Sequence, residues 1–172
     1  MCLKSWLAGL SFLATGNDKM NVKIIEREPT RWVGFHLTGP WHETAPEGFR
    51  RLSEWVERNN MQGEWMAIYH GNPNKTPAYE LGIETVLSVD DDFQLEDSIA
   101  SLRLGMLEGG QYALASVKVV DGDFAKPWLA LFQEWLPASG WRIDERPCFE
   151  HYRNDGSSTG IWNIDLYLPV VK

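Results

Sequence analysis

The sequence predicts an α+β protein made of two similar strand-helix-strand-strand units. Three observations point there. Strand-like and helix-like segments recur in the same order in both halves of the chain. Matching residues lie 80 to 83 positions apart: Trp32 and Tyr112, Trp55 and Trp135, Tyr69 and Tyr152, Ile83 and Ile164. One helix covers three strands poorly, so the two units must share a sheet or pack their sheets together.

The elements follow in order. Residues 31–37 (RWVGFHL) form the first strand, and a helix runs from about Pro46 to Arg58. Its apolar positions Phe49, Leu52, Trp55 and Val56 recur at three- and four-residue spacing. Residues 65–69 and 82–89 are the next strands, joined through the breaker-rich loop Gly71–Pro77. In the second unit, residues 111–119 are a strand and 124–136 a helix with Trp128, Leu131, Phe132 and Trp135 on one face. Asp123 caps that helix, with Pro127 in the first turn. Residues 148–152 and 161–168 are the last strands, and Asn154–Gly160 is the equivalent loop. The acidic, turn-rich segment 90–97 links the units, and Gly109-Gly110 makes a turn or bulge.

Residues 1–19 have no counterpart in this scheme. The apolar stretch Trp6–Ala14 is too short to span a bilayer, and no good cleavage region follows it. These residues read as an upstream start or a disordered appendage. The domain proper is expected at 20–172, with half-repeats at about 20–90 and 100–172. A further strand-like run, Val22–Ile25, follows Met20.

Composition bounds the function. In 172 residues, 16 Lys and Arg face 24 Asp and Glu, for a net charge of −8. Such a chain grips neither nucleic acid nor an anionic membrane, so neither is expected as a partner. Two cysteines make no disulfide framework, and four scattered histidines make no zinc site, so no metal or cofactor is expected. The location expected is the cytoplasm. Nine tryptophans are a large excess, which must fill a core or line an aromatic surface.

One residue stands out where the two units differ. Aligning Tyr69 with Tyr152 sets Ala67 against Glu150. Strand alternation puts Glu150 on the same face as Cys148 and Tyr152. If that face is inward, burial raises the acid's pKa or a cation pairs with it. An acid in an aromatic cavity is an anchor for a cationic ligand; the alternative is a solvated carboxylate on an edge strand. Trp41, Trp65 and Trp162 either line such a pocket or fill the core, while Trp55, Trp128 and Trp135 belong to the core. No catalytic constellation is apparent: there is no Gly-x-Ser-x-Gly elbow, and Cys148 and His151 point to opposite faces. The reading is of a non-enzyme.

Five strings carry a resemblance to a known family: residues 33–41 (VGFHLTGPW), 72–78 (NPNKTPA), 109–113 (GGQYA), 123–128 (DFAKPW) and 147–152 (PCFEHY). From Met20 to Lys172 the chain resembles the DNA gyrase inhibitor family, within the wider group of GyrI-like ligand-binding domains. The resemblance implies a pseudo-twofold duplicated fold of the SHS2 type. It implies a protein that binds DNA gyrase, inhibits supercoiling and protects against toxins such as microcin B17. It also implies a cleft for a small hydrophobic or cationic ligand, with Glu150 as the acid, alongside Tyr152, Trp41, Trp65, Tyr112 and Trp162. The segment Leu104–Leu114 is implied to contact gyrase, through Leu104, Glu108, Gly109, Gly110, Gln111 and Tyr112. The net charge suits docking on a basic DNA-binding surface of gyrase, with Asp90, Asp91, Asp92, Glu96 and Asp97 contributing; the alternative for these five is a solvated acidic loop. Two further readings remain: a drug-sequestering module, and a hydrolase of cyclopropane-containing toxins that uses Glu150 with Tyr112 or Tyr152.

Overall fold

The computed structural model describes residues 20–96 and 99–172. The extension read into residues 1–19, and Asp97 of the acidic linker, lie outside the described residues.

In chain order the elements are β1 (Val22–Arg27), β2 (Thr30–Thr38), α1 (Trp41–Asn59), β3 (Trp65–His70), β4 (Gly82–Ser88), β5 (Leu102–Leu107), β6 (Gly110–Val119), α2 (Ala125–Ala130), α3 (Leu136–Ser139), β7 (Arg142–Ile143), β8 (Cys148–Tyr152) and β9 (Trp162–Val171). A π-helical turn, Leu131–Trp135, joins α2 to α3 into one continuous stretch. The α+β class and the repeated strand-helix-strand-strand order are those expected. Two strands were not: β5 and the short β7.

All strand pairings are antiparallel, in the order β1-β6-β9-β8-β3-β4-β2-β5, with β7 added on β9. This order reads the same from either end when the halves are exchanged. The pseudo-twofold point lies between β3 and β8, where Ala67 pairs with Glu150. The leading strands are exchanged: β1 pairs with β6 of the second half, and β5 with β2 of the first. Arg27 ends β1 and Thr30 begins β2, so that link spans about 10 Å at most. In a flat sheet those strands would stand six spacings apart, about 29 Å. The sheet is therefore rolled until its ends meet behind it.

That roll explains a second core on the face away from the helices. Trp32, Met66, Ile68, Val86, Leu107, Tyr112, Phe149 and Tyr167 are buried together there. Phe149 and Tyr167 stack with ring centroids 4.4 Å apart. The Arg27 guanidinium covers both rings, at 5.2 and 4.9 Å, while donating to Glu64 at 3.0 Å.

The helices cover the other face. α1 starts at Trp41, five residues before the start expected at Pro46. Pro40 precedes the first turn, its carbonyl accepting from the amides of Glu43 and Thr44, and Pro46 is carried inside the helix. The Thr44 hydroxyl also donates to that carbonyl, at 3.2 Å. The helix ends at Asn60, which adopts the left-handed conformation (φ 50°) while the Met61 amide reaches back to Val56. Trp41, Thr44, Gly48, Leu52 and Trp55 form its buried stripe. At Gly48 the helix rests on β4, and a Cβ there would lie 2.5 Å from Thr85 Oγ1. In the second half Asp123 accepts from the Lys126 amide at 3.1 Å, the cap expected of it.

Candidate functional site

Each helix covers its own half of the sheet, leaving a cleft of about 1280 Å³ between them over the β3–β8 pair. α1 contributes Trp41 and Phe49 to its walls, and the second helix contributes Trp128. Trp65 and Tyr69 rise from β3, Tyr152 from β8 and Trp162 from β9. The aromatic rings meet edge to face: Trp41 with Tyr69 at 5.0 Å, Phe49 with Tyr152 at 5.1 Å, and Tyr152 with Trp162 at 5.8 Å. Such contacts hold the walls rigid and turn ring faces and edges toward the space between. Trp41 is also pinned by its indole N–H, which donates to the Gly82 carbonyl at 2.8 Å.

Glu150 lies on the floor, 1% exposed. The Tyr69 hydroxyl donates to its Oε1. Among the described residues Oε2 has no hydrogen-bond partner, and neither has the Trp128 indole nitrogen. Burial drives the carboxyl up to about 7; Tyr69, and the nearby Trp128 N–H more weakly, oppose this. Tyr69 and Tyr152 are themselves held well above the usual tyrosine range, first by burial and then by the Glu150 charge. The floor thus holds one titratable acid with an open oxygen, enclosed by aromatic rings. Such a site suits a single positive centre carried on an apolar body.

The model of the GyrI-like small molecule binding domain matches residues 20–171. The chain belongs to the GyrI-like family. A protein of Erwinia billingiae named DNA gyrase inhibitor is 54% identical over 153 residues, covering 89% of this chain and 99% of that one. The protein of that name in Escherichia coli K12 is 41% identical, covering 88% of this chain and 97% of its own. Among solved structures, SAV2435 bound to tetraphenylphosphonium shares the fold at a TM-score of 0.63 and 10% identity, over 88% of this chain and 94% of that one.

In this GyrI-like domain one cleft is lined by Glu150, Tyr152, Trp41, Trp65 and Trp162. Tyr112 is elsewhere. It lies fully buried in the back core against Phe149 and Tyr167, with its hydroxyl on the Glu108 carbonyl at 2.5 Å and Arg146 over its ring. The β6 register decides this: Tyr112 pairs with Pro169, so its neighbours Ala113 and Ala115 face the helices and Tyr112 faces away. The hydroxyl that does meet Glu150 belongs to Tyr69, which the sequence marked only as a repeat landmark. Its place two residues from Ala67 on one strand face was the available signal. Trp128, read as core, is both buried and a cleft wall.

The segment implied to contact gyrase forms the outer strand β5 and its turn into β6. Leu104 is 41% exposed and Met106 55%, on a strand paired only with β2. Arg146 ties down the turn by donating to the carbonyls of Gly109 and Gln111, at 3.1 and 2.8 Å. Asp90, Asp91, Asp92 and Glu96 are exposed, and the carbonyls of Asp90 and Asp91 accept from Arg31. Two of the scattered histidines, His36 and His70, flank Glu84 on the back of the sheet. Among the described residues no group is arranged to hold a metal ion, and no helix is long and apolar enough to cross a membrane.

Proposed function

We propose that this protein inhibits DNA gyrase by direct contact in the cytoplasm, interfering with the enzyme's hold on DNA, and protects the cell against gyrase-targeting toxins such as microcin B17. The observation that carries this reading is 54% identity to a protein named DNA gyrase inhibitor over 99% of that protein's length. The contact surface in this reading is the exposed β5 strand and its turn: Leu104, Glu108, Gly109, Gly110 and Gln111. Tyr112 supports that turn from inside. Exposed carboxylates at Asp90, Asp91, Asp92 and Glu96 add steering toward a basic surface.

The experiment is a supercoiling assay with purified gyrase, relaxed plasmid and ATP, titrated with wild-type protein and with Glu150→Gln. The reading expects both proteins to inhibit. Loss of inhibition at large molar excess of the wild type would overturn it.

A second reading is favoured by one observation, the unpartnered Glu150 oxygen on an aromatic floor. In this reading the cleft takes up aromatic cations, the class of compound named with SAV2435. It is compatible with the first, because the cleft and β5 are separate surfaces. The hydrolase alternative now has to use Glu150 with Tyr69 or Tyr152, because Tyr112 is on the far side of the sheet. Turnover of a cyclopropane-containing toxin, lost in Glu150→Gln, would distinguish hydrolysis from binding.

A further inference from the structure

The inference below rests on reading the cleft as a site for organic cations. We propose that the cleft exchanges a proton for a cation at Glu150, so that it loads cationic aromatic compounds at neutral and higher pH and releases them as pH falls.

An ionised carboxylate buried in an apolar site is costly unless it is paired and fully hydrogen-bonded. Among the described residues the Glu150 carboxyl receives one hydroxyl, from Tyr69, and its other oxygen has no partner. The Tyr69 hydroxyl and the Trp128 indole favour its charge, and among the described residues no cationic side chain does. The remaining polar group at the floor, the Tyr152 hydroxyl, is also buried and neutral.

The charged groups around the cleft are engaged elsewhere or exposed. From α1 come His42, Arg50 and Glu57, and Arg50 is bound by Glu47 and Glu54 at 2.7 Å each. Before β3, Glu64 is held by Arg27 at 3.0 Å. Asp123, which precedes α2, is exposed. Beyond Glu150 on its own strand and turn stand His151, Arg153 and Asp155, and Arg153 is bound to Asp165 at 3.0 Å. None of these neutralises the floor.

Without a cation beside it the carboxyl therefore holds its proton below neutrality and gives it up only as pH passes through about 7. A ligand cation supplies the missing positive charge, and the carboxyl then gives its proton to solvent. The site has one such acid because Ala67 occupies the symmetry-related position. It is thus matched to a monovalent cation. A ligand that carries an N–H on its positive centre also has an acceptor waiting at Oε2.

The test uses the full chain and tetraphenylphosphonium chloride as the probe. Calorimetric titrations at pH 6 and pH 8, each in two buffers of different ionisation enthalpy, read both affinity and protons released. The exchange predicts about tenfold weaker binding at pH 6 than at pH 8. It predicts release of most of a proton per cation at pH 6 and of much less at pH 8. Glu150→Gln should bind weakly, with no proton release. Glu150→Asp should retain the release. Tight binding that is equal at both pH values, without proton release, would overturn the exchange and leave the cleft reading standing. No binding by the wild type at pH 8 would overturn the cleft reading, and the exchange with it.

Discussion

Ala67 and Glu150 face each other across the β3–β8 pair, at the point about which the two halves of the protein are related. One position of a duplicated pair holds a methyl group and the other a carboxylate. The methyl leaves room above the floor, and the carboxylate gives it a single charge. Two acids at this spacing would repel each other, and two alanines would leave a merely greasy slot.

Glu150→Gln should stabilise the protein in a pH-dependent way. The folded-state carboxyl sits at about 7, well above the ordinary glutamate value of 4.5. A raised acid costs nothing below its unfolded value, and the protein loses stability as pH climbs from there through the folded value. The difference between variant and wild type should therefore grow between about pH 4.5 and 7 and level off near 3 kcal/mol. Urea melts at pH 5, 6, 7 and 8 measure it. A flat difference would mean that the carboxyl is solvated.

Tyr69→Phe removes the hydroxyl that donates to the Glu150 carboxyl. The ionised form loses more than the neutral one, so the Glu150 midpoint should move upward from about 7. Carboxyl carbon NMR across a pH titration reads this directly. Tyr152→Phe should move the midpoint less. An equal effect from both would show that Tyr69 has no special role.

Gly48→Val should cost about 1–3 kcal/mol, because α1 sits against Thr85 with no space for a side chain. The same change should tilt the wall that carries Phe49 and weaken probe binding in the cleft. Unaltered denaturation midpoints would show that the helix shifts freely.

Leu104→Ser combined with Glu108→Lys should leave stability within about 0.5 kcal/mol, because Leu104 and Glu108 are exposed. It should nevertheless reduce gyrase inhibition severalfold in the supercoiling assay. Tyr112→Ala, in contrast, should cost about 3–5 kcal/mol by emptying the back core. Full inhibition by the double variant would move the contact away from β5.

Much of this protein could be read from residue order alone. Helical spacing located both helices, and the repeat announced the duplication. Period-two alternation put Glu150 on one face with Tyr152, because that relation lies within a single strand. The start of α1 was misread because Pro46 is usual in a first turn, whereas here Pro40 already precedes one and the helix carries Pro46 inside.

Relations between strands were decided only by the tertiary structure. Which face of β6 turns toward the cleft depends on its register with β9, and a shift of one residue would have brought Tyr112 in and put Ala113 out. The exchange of β1 and β5 between halves, and the roll of the sheet that follows from it, depend on pairings that no local pattern encodes. The same is true of the Tyr69 hydroxyl on Glu150, since the two residues are 81 positions apart and meet only because β3 and β8 are central neighbours. Residue order set what each strand could offer. Long-range pairing set which side chains met, because a side chain's face is fixed relative to its own strand and becomes inward or outward only when the sheet is assembled.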